Sequence, residues 1–134
     1  MASEAIHKRQ AKHNEGLAEE LAASLRHKDW VVTTAFYSAL HWVEAAMAGD
    51  HPPRHPETDC PEKCPKHLYR QDWVDAKCGV QAILAYGVLY QNSRTARYLE
   101  RCAGRTAQDF FSDEVAKDGL LVHLQTVKAD LGYA

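Results

Sequence analysis

The fold is decided by the segment Asp29–Ala48, DWVVTTAFYSALHWVEAAMA. At helical spacing, one broad face carries Trp30, Thr34, Tyr37, Ser38, His41, Trp42 and Ala45, and the apolar surface continues round the helix through Val31, Ala35, Leu40, Val43 and Met47. Asp29 is the predicted N-cap, and Gly49 is predicted to end the helix. A helix that is apolar on most sides belongs in the middle of a bundle.

The rest of the chain also reads as helices, and it contains no strand pattern. The expected ranges are 3–26 with Ser3 as N-cap, about 65–78, about 80–102, and from Thr106 or Ser112 to about 131. Gly87 indicates a close helix crossing, and Gly119 is a weak point in the last helix. We therefore predict an all-α single domain over residues 1–134, an up-and-down bundle of four to five helices whose second and fourth helices are the most buried.

Composition restricts both the location of the protein and its class of partner. The formal net charge is −2, so a site for a polyanion must be local. No run approaches the roughly 18 apolar residues of a transmembrane helix, and the N-terminus lacks the apolar core of a signal peptide. A cytoplasmic protein without membrane association is therefore expected, and its four cysteines are expected to be thiols or metal ligands rather than disulfides.

The strongest functional signal is a row of arginines near the end of the predicted fourth helix. Arg94, Arg97 and Arg101 follow one another at spacings of three and four, which places them on one helix face. Guanidinium groups bind phosphate oxygens bidentately, and a tyrosine such as Tyr90 can stack on a base. These four residues are the predicted binding site for RNA or another ligand. The alternative is a solvated face that pairs with the acidic segment 109–114.

His41 is the candidate general base on the second helix, where it shares a face with Tyr37 and Ser38. An imidazole titrates near neutral pH, as proton transfer requires. The same position is also typical of a hydrogen-bonded interior histidine, so both interpretations stay open.

Residues 49–65 form a predicted loop because all five prolines of the chain fall within it. In and just after this loop lie His51, His55, Cys60, Cys64 and His67. Cysteine and histidine are the preferred ligands of zinc, and a tetrahedral site needs four ligands. The pattern is consistent with a structural zinc ion that clamps the loop, or with a proline-rich loop of free thiols and surface histidines. No other cofactor is expected, since the usual nucleotide and hydrolase motifs are absent.

The order of these motifs resembles a known family. The segment Asp29–Ala45, the loop histidines His51 and His55, the apolar stretch 86–90 and the run Ser93-Arg94-Thr95-Ala96-Arg97-Tyr98 together resemble small bacterial HEPN-domain proteins with an S-R-x-A-R-Y signature. The resemblance covers about residues 15–130. It implies a helical bundle, often a homodimer, and a role around RNA: ribonuclease toxins, modules paired with a nucleotidyltransferase-like protein partner, or phage defence.

One departure from that family bears on activity. Catalytic members carry an arginine followed by a polar residue and, after a short gap, a histidine. No histidine follows Arg94, Arg97, Arg101 or Arg105 within ten residues, and the next one is His123. We therefore predict a non-catalytic accessory protein that binds RNA, a nucleotide or a protein partner through the arginines, in a toxin–antitoxin or defence context. The alternatives are a metal-independent ribonuclease that uses Arg94 or Arg97 with His41, and a protein-interaction scaffold.

Overall fold

The computed structural model describes residues 2–60 and 62–134, and this part of the chain is helical without strands. The helices are α1 (Glu4–Ala22), α2 (Lys28–Ala48), α3 (Pro56–Asp59), α4 (Lys66–Lys77), α5 (Val80–Tyr98), α6 (Ala107–Phe110), α7 (Asp113–Asp118), a π-helical segment (Gly119–His123) and α8 (Leu124–Asp130). The prediction of an all-α helical bundle is confirmed. None of these helices is long and apolar enough to cross a membrane.

Helix α2 lies at the centre of the bundle, as its apolar circumference predicts. It packs against α1, α5 and the α7–α8 region, and Val31, Val43 and Met47 on its different sides are fully buried. Helix α5 supplies Tyr86 and Leu89 to the same core. The second and fourth predicted helices, now α2 and α5, are therefore the most buried, as expected. Each fully buried side chain of this size stabilises the fold by about 1.5–3 kcal/mol.

The helix ends show where a local sequence signal correctly predicted the N-cap and where it did not. The Ser3 hydroxyl accepts the N–H of Ile6 at 3.3 Å, so the predicted cap of α1 is confirmed. Asp29 is not the N-cap of α2, because the helix begins at Lys28 and Asp29 lies in its first turn. The Gln108 side chain takes over this role: its amide oxygen accepts the N–H of Lys28, and its amide nitrogen donates to the Leu25 carbonyl at 3.0 Å.

Helix α5 ends four residues earlier than predicted, at Tyr98. Leu99, Arg101 and Ala103 have positive φ angles of 57°, 64° and 52°, so the chain leaves the helix and turns. The turn buries Cys102 beside the N-terminal half of α2. The predicted single helix face for the three arginines is therefore wrong for Arg101, which lies outside the helix.

Three further expectations are corrected or sharpened by the structure. Apart from its chain neighbours and the helix's own backbone, no atom lies within 4 Å of a Cβ built at Gly87, so the predicted close crossing there is wrong and an open groove takes its place. The weak point predicted at Gly119 coincides with the start of the π-helical segment. The predicted loop 49–65 contains the short helix α3. Residue 61 of this loop lies outside the described residues, so the prediction is not tested there.

Candidate functional site

Helices α2, α4 and α5 border a cavity of about 290 Å³ that we call the arginine cavity. Its lining residues recur at spacings of three and four on α4 and α5, because residues so spaced share a helix face. They are Phe36, Tyr37 and Leu40 of α2, His67 and Arg70 of α4, and Tyr90, Arg94 and Arg97 of α5. The structure thus brings three of the four predicted binding residues together, and α4 adds a histidine and a third arginine.

Arg97 is held in the cavity by neutral groups only. Its Nη1 donates to the Tyr37 hydroxyl at 3.1 Å, and its Nη2 donates to the hydroxyl of the buried Ser93 at 3.3 Å. Its Nε donates to the Ser93 carbonyl at 3.3 Å. Among the described residues Arg97 forms no ion pair with a carboxylate. Its charge helps to lower the pKa of the Glu100 carboxyl, but that carboxylate is hydrogen-bonded to Arg94.

Arg94 forms a bidentate pair with Glu100 at the rim of the cavity. The Nη2–Oε1 distance is 2.7 Å and the Nε–Oε2 distance is 3.1 Å. The hydrogen bonds from Arg94 hold the pKa of the Glu100 carboxyl below its ordinary value. The two side chains are 36% and 41% exposed, so water reaches the pair and screens it. An anion in the cavity can therefore compete with Glu100 for the same guanidinium.

Arg70 closes the inner side of the cavity and is bound differently. Its Nε donates to Glu44 Oε1 at 2.6 Å, and the side chains are only 17% and 10% exposed. A buried carboxylate that loses its counter-charge is strongly unfavourable, so this pair is fixed. Arg70 contributes charge to the cavity wall but is not free to leave Glu44.

His67 stacks face to face on Tyr90, with ring centroids 3.6 Å apart and an angle of 4° between the planes. Partial burial lowers the pKa of His67 below its ordinary value, and the charges of Arg70 and Arg94 lower it further. The imidazole is therefore neutral at pH 7. His67 was predicted as a loop metal ligand, whereas the structure places it in the arginine cavity.

A second depression adjoins the arginine cavity across the His67–Tyr90 stack. This α5 groove has a volume of about 590 Å³, and its lining residues are His67, Gln71, Ile83, Leu84, Gly87, Val88, Tyr90, Gln91, Asn92 and Arg101. Its floor is apolar, whereas three side-chain amides and the Arg101 guanidinium supply polar groups. Arg101 therefore lies near the other arginines, but in the groove rather than in the cavity.

The acidic segment 109–114 does not supply the partners of the cavity arginines. Asp113 lies 3.3 Å from Lys28, and the carboxylate bound to Arg94 is that of Glu100. The pairing that would make the arginines a merely solvated face is thus not observed within the described residues.

The cysteine expectation is wrong for the loop. Cys60 and Cys64 form a disulfide, whereas Cys78 and Cys102 are free. Sulfur must be a thiolate to bind a metal, so the oxidised pair supplies no zinc ligand. Where a zinc clamp was predicted, a disulfide joins residues 60 and 64 and cross-links only the last part of the loop. His51 is exposed there, and the His67 ring is engaged with Tyr90.

His41 lies outside the arginine cavity and belongs to a different cluster. Its Nδ1 is 3.1 Å from His7 Nδ1 and 4.0 Å from Glu44 Oε2, and His7 Nδ1 is 3.4 Å from the same carboxylate oxygen. Among the described residues this is the one group of three metal-binding side chains close enough to share an ion. Sequence reasoning missed it, although the spacing of His41 and Glu44 by three on one helix was a usable signal.

A comparison of this chain with models of known protein families, with curated proteins and with solved structures finds no match. The HEPN resemblance therefore stays a prediction.

Proposed function

We propose that this protein binds RNA or a nucleotide without cleaving it, with a phosphate group in the arginine cavity. The observation that carries the proposal is the state of Arg97: its guanidinium is half-buried, positioned by Tyr37 and Ser93, and without a carboxylate partner among the described residues. A pre-positioned guanidinium without an ion-pair partner at a cavity wall is well suited to bind a phosphate oxygen.

The charge balance of the cavity supports an anionic ligand. Arg70 is balanced by Glu44 and Arg94 by Glu100, so Arg97 leaves an excess of one positive charge with His67 neutral. The excess is local in a chain whose net charge is −2. Because charge-assisted hydrogen bonds are about twice as strong as neutral ones, an anion at this point gains more than a neutral ligand does.

The α5 groove favours a nucleotide or RNA over inorganic phosphate. It begins on the far side of the His67–Tyr90 stack, where Leu84 and Val88 offer apolar surface. The amides of Gln91 and Asn92 in its wall can donate and accept hydrogen bonds, as the edge of a nucleobase demands, whereas the Gln71 amide nitrogen already donates to Asp75. A ligand with its phosphate in the cavity and its base in the groove would use both depressions.

The biological setting follows from the resemblance to HEPN proteins rather than from the geometry. It is an accessory role in the cytoplasm, in a toxin–antitoxin or defence module, with a second copy of the chain or a nucleotidyltransferase-like protein as partner. RNA binding in the arginine cavity is compatible with each of these partners.

A metal-independent ribonuclease is the second candidate, and one observation favours it. The neutral imidazole of His67 lies in the same cavity as Arg94 and Arg97, although it comes from an earlier helix rather than from the expected sequence position. A neutral imidazole is a suitable general base, and the arginines would stabilise the charge that develops on phosphorus-bound oxygens. His67, not His41, is the base that this candidate requires.

The test compares Arg97→Gln with Arg26→Gln in binding a fluorescent single-stranded RNA. Arg26 is exposed in the turn between α1 and α2, so the control makes the same charge change away from the cavity. We expect Arg97→Gln to weaken binding by about 10- to 100-fold and to lower the slope of log affinity against log salt by about one. Equal, small losses in both variants would contradict the proposal.

Incubation of wild-type protein, His67→Ala and His41→Ala with the RNA in EDTA separates binding from cleavage. Intact RNA with wild-type protein supports the non-catalytic proposal. Cleavage that is lost in His67→Ala and retained in His41→Ala would favour the ribonuclease candidate instead.

A further inference from the structure

Three side chains with metal-binding atoms converge where α1 crosses α2. His7 comes from α1, and His41 and Glu44 come from one face of α2. The two imidazole rings stack at 5.4 Å between centroids, with their Nδ1 atoms 3.1 Å apart. Glu44 Oε2 is 3.4 Å from the first of these nitrogens and 4.0 Å from the second.

These separations match those between ligands of one tetrahedral ion. Zinc binds imidazole nitrogen and carboxylate oxygen at about 2.0–2.1 Å, so two ligand atoms of a tetrahedron lie about 3.3–3.4 Å apart. The three observed separations, 3.1, 3.4 and 4.0 Å, bracket that value. A single ion between the three atoms therefore needs only small side-chain adjustments.

The surroundings prepare the three groups for a metal. Arg70 occupies Oε1 of Glu44, which leaves Oε2 to face the two histidines. Such outer hydrogen bonds orient the ligands of metal sites.

One side of the cluster is open. The His41 side chain is 25% exposed, whereas those of His7 and Glu44 are 10% exposed. A fourth ligand, water or an external group, can therefore approach beside His41. Three protein ligands with an open position are typical of zinc sites that act on a ligand rather than of purely structural ones.

We propose that His7, His41 and Glu44 bind a divalent transition-metal ion of the zinc class, with the fourth coordination position open beside His41. Two imidazoles among three ligands favour zinc, cobalt, nickel or copper over magnesium and calcium, which prefer oxygen. None of its three ligands lines the arginine cavity, so the metal ion and a phosphate group would occupy different positions, although Arg70 contacts both sites. The competing explanation is a metal-free hydrogen-bonded triad that shares a proton.

The test is metal binding by the full-length protein after removal of metal with EDTA. Wild-type protein is titrated with Zn²⁺ by calorimetry and with Co²⁺ by visible absorption, beside His7→Ala, His41→Ala and the control His13→Ala. His13 is exposed on α1, so its loss removes one histidine from the same helix but not from the cluster. We expect one ion per chain for wild type and control, and binding at least about 100-fold weaker for the other two.

A double variant, Cys60→Ser with Cys64→Ser, tests whether the loop cysteines bind the metal instead. If it binds zinc like wild type, the loop sulfurs are excluded as ligands; if its binding is lost, the proposal is overturned in favour of the loop. The Co²⁺ spectrum of wild type gives a readout that needs no variant: four-coordinate nitrogen–oxygen bands without sulfur charge transfer are expected. Wild-type protein that takes up less than one ion would leave the metal-free triad. Uptake by His7→Ala and His41→Ala equal to that of wild type would overturn the proposal.

Discussion

Arg94 and Arg70 both line the arginine cavity and both hold a carboxylate, Arg94 at the surface and Arg70 in the interior. The Arg94–Glu100 pair is 36% and 41% exposed, whereas the Arg70–Glu44 pair is 17% and 10% exposed. Water can replace either partner of the first pair but not of the second. Burial therefore separates an arginine that can exchange its partner for a ligand from one that supports the wall.

The position of Arg70 also connects two sites of different chemistry. On one side its guanidinium forms part of the arginine cavity, and on the other it holds Glu44 against His7 and His41. Arg94 of the exposed pair also contacts Tyr90 and Tyr98, but within the described residues neither Arg94 nor Glu100 contacts the His7–His41–Glu44 cluster. A substitution in the buried inner pair, Arg70–Glu44, is thus expected to change both stability and metal binding. A substitution in the exposed outer pair, Arg94–Glu100, is expected to change ligand binding alone.

The largest expected effect is the loss of the inner carboxylate. Glu44→Ala leaves the buried guanidinium of Arg70 without a counter-charge, so the free energy of unfolding should fall by about 3–5 kcal/mol. Urea unfolding at neutral pH in EDTA measures the change without a contribution from bound metal. Glu100→Ala is the matched control, and its unfolding midpoint should equal that of wild type. Similar losses in both variants would contradict the distinction between the pairs.

A double variant sharpens that result. Replacing both members, Glu44→Leu with Arg70→Met, removes the charge together with its partner. The double variant should recover most of the stability that Glu44→Ala loses, because no buried charge is left unpaired. If it stays as unstable as Glu44→Ala, the loss arises from the His7 and His41 contacts rather than from Arg70.

The sequence predicted the structure correctly where the signal lies within one helix. The apolar circumference of α2 predicted its central place, and Ser3 and Ser112 cap their helices through hydroxyls that accept N–H groups three residues ahead. Such signals depend on spacing along one helix. The positions of Tyr90, Arg94 and Arg97 on one face of α5 were predictable for the same reason.

Contacts between distant segments were not predictable in this way. Gln108 completes the start of α2 from 80 residues away, and His67 reaches Tyr90 only because α4 packs on α5. Arg101 left its predicted helix because the turn that follows buries Cys102, which periodicity does not reveal. The spacing of Cys60 and Cys64 is compatible with a shared metal and with a disulfide alike, and only their geometry decides between them.

The next largest effect is expected at His67. Burial is the main cause that lowers its pKa, and the charges of Arg70 and Arg94 lower it further. A bound phosphate offsets those charges, so the pKa of His67 should be higher in the complex than in the free protein. Binding then takes up protons, and RNA affinity should rise by up to about tenfold as the pH falls from about 7.5 to about 5. RNA phosphodiesters do not titrate in this range, so the phosphate groups contribute nothing to the trend.

Fluorescence anisotropy across that pH range, with His67→Gln as control, measures this effect. The variant keeps a polar side chain on α4 but cannot become charged, so its affinity should be flat with pH. An equal rise in the variant would assign the proton to another group.

The smallest effect tests the outer pair directly. Glu100→Gln removes the carboxylate that competes with a phosphate for Arg94, so RNA binding should become tighter by about two- to fivefold. Asp109→Asn is the control, because Asp109 is exposed on α6 and makes the same change in net charge away from Arg94. Equal gains in both variants would indicate a long-range charge effect only. Weaker binding in Glu100→Gln would mean that Glu100 positions Arg94 for its ligand instead of competing with it, and the outer pair would then support the cavity as the inner pair does.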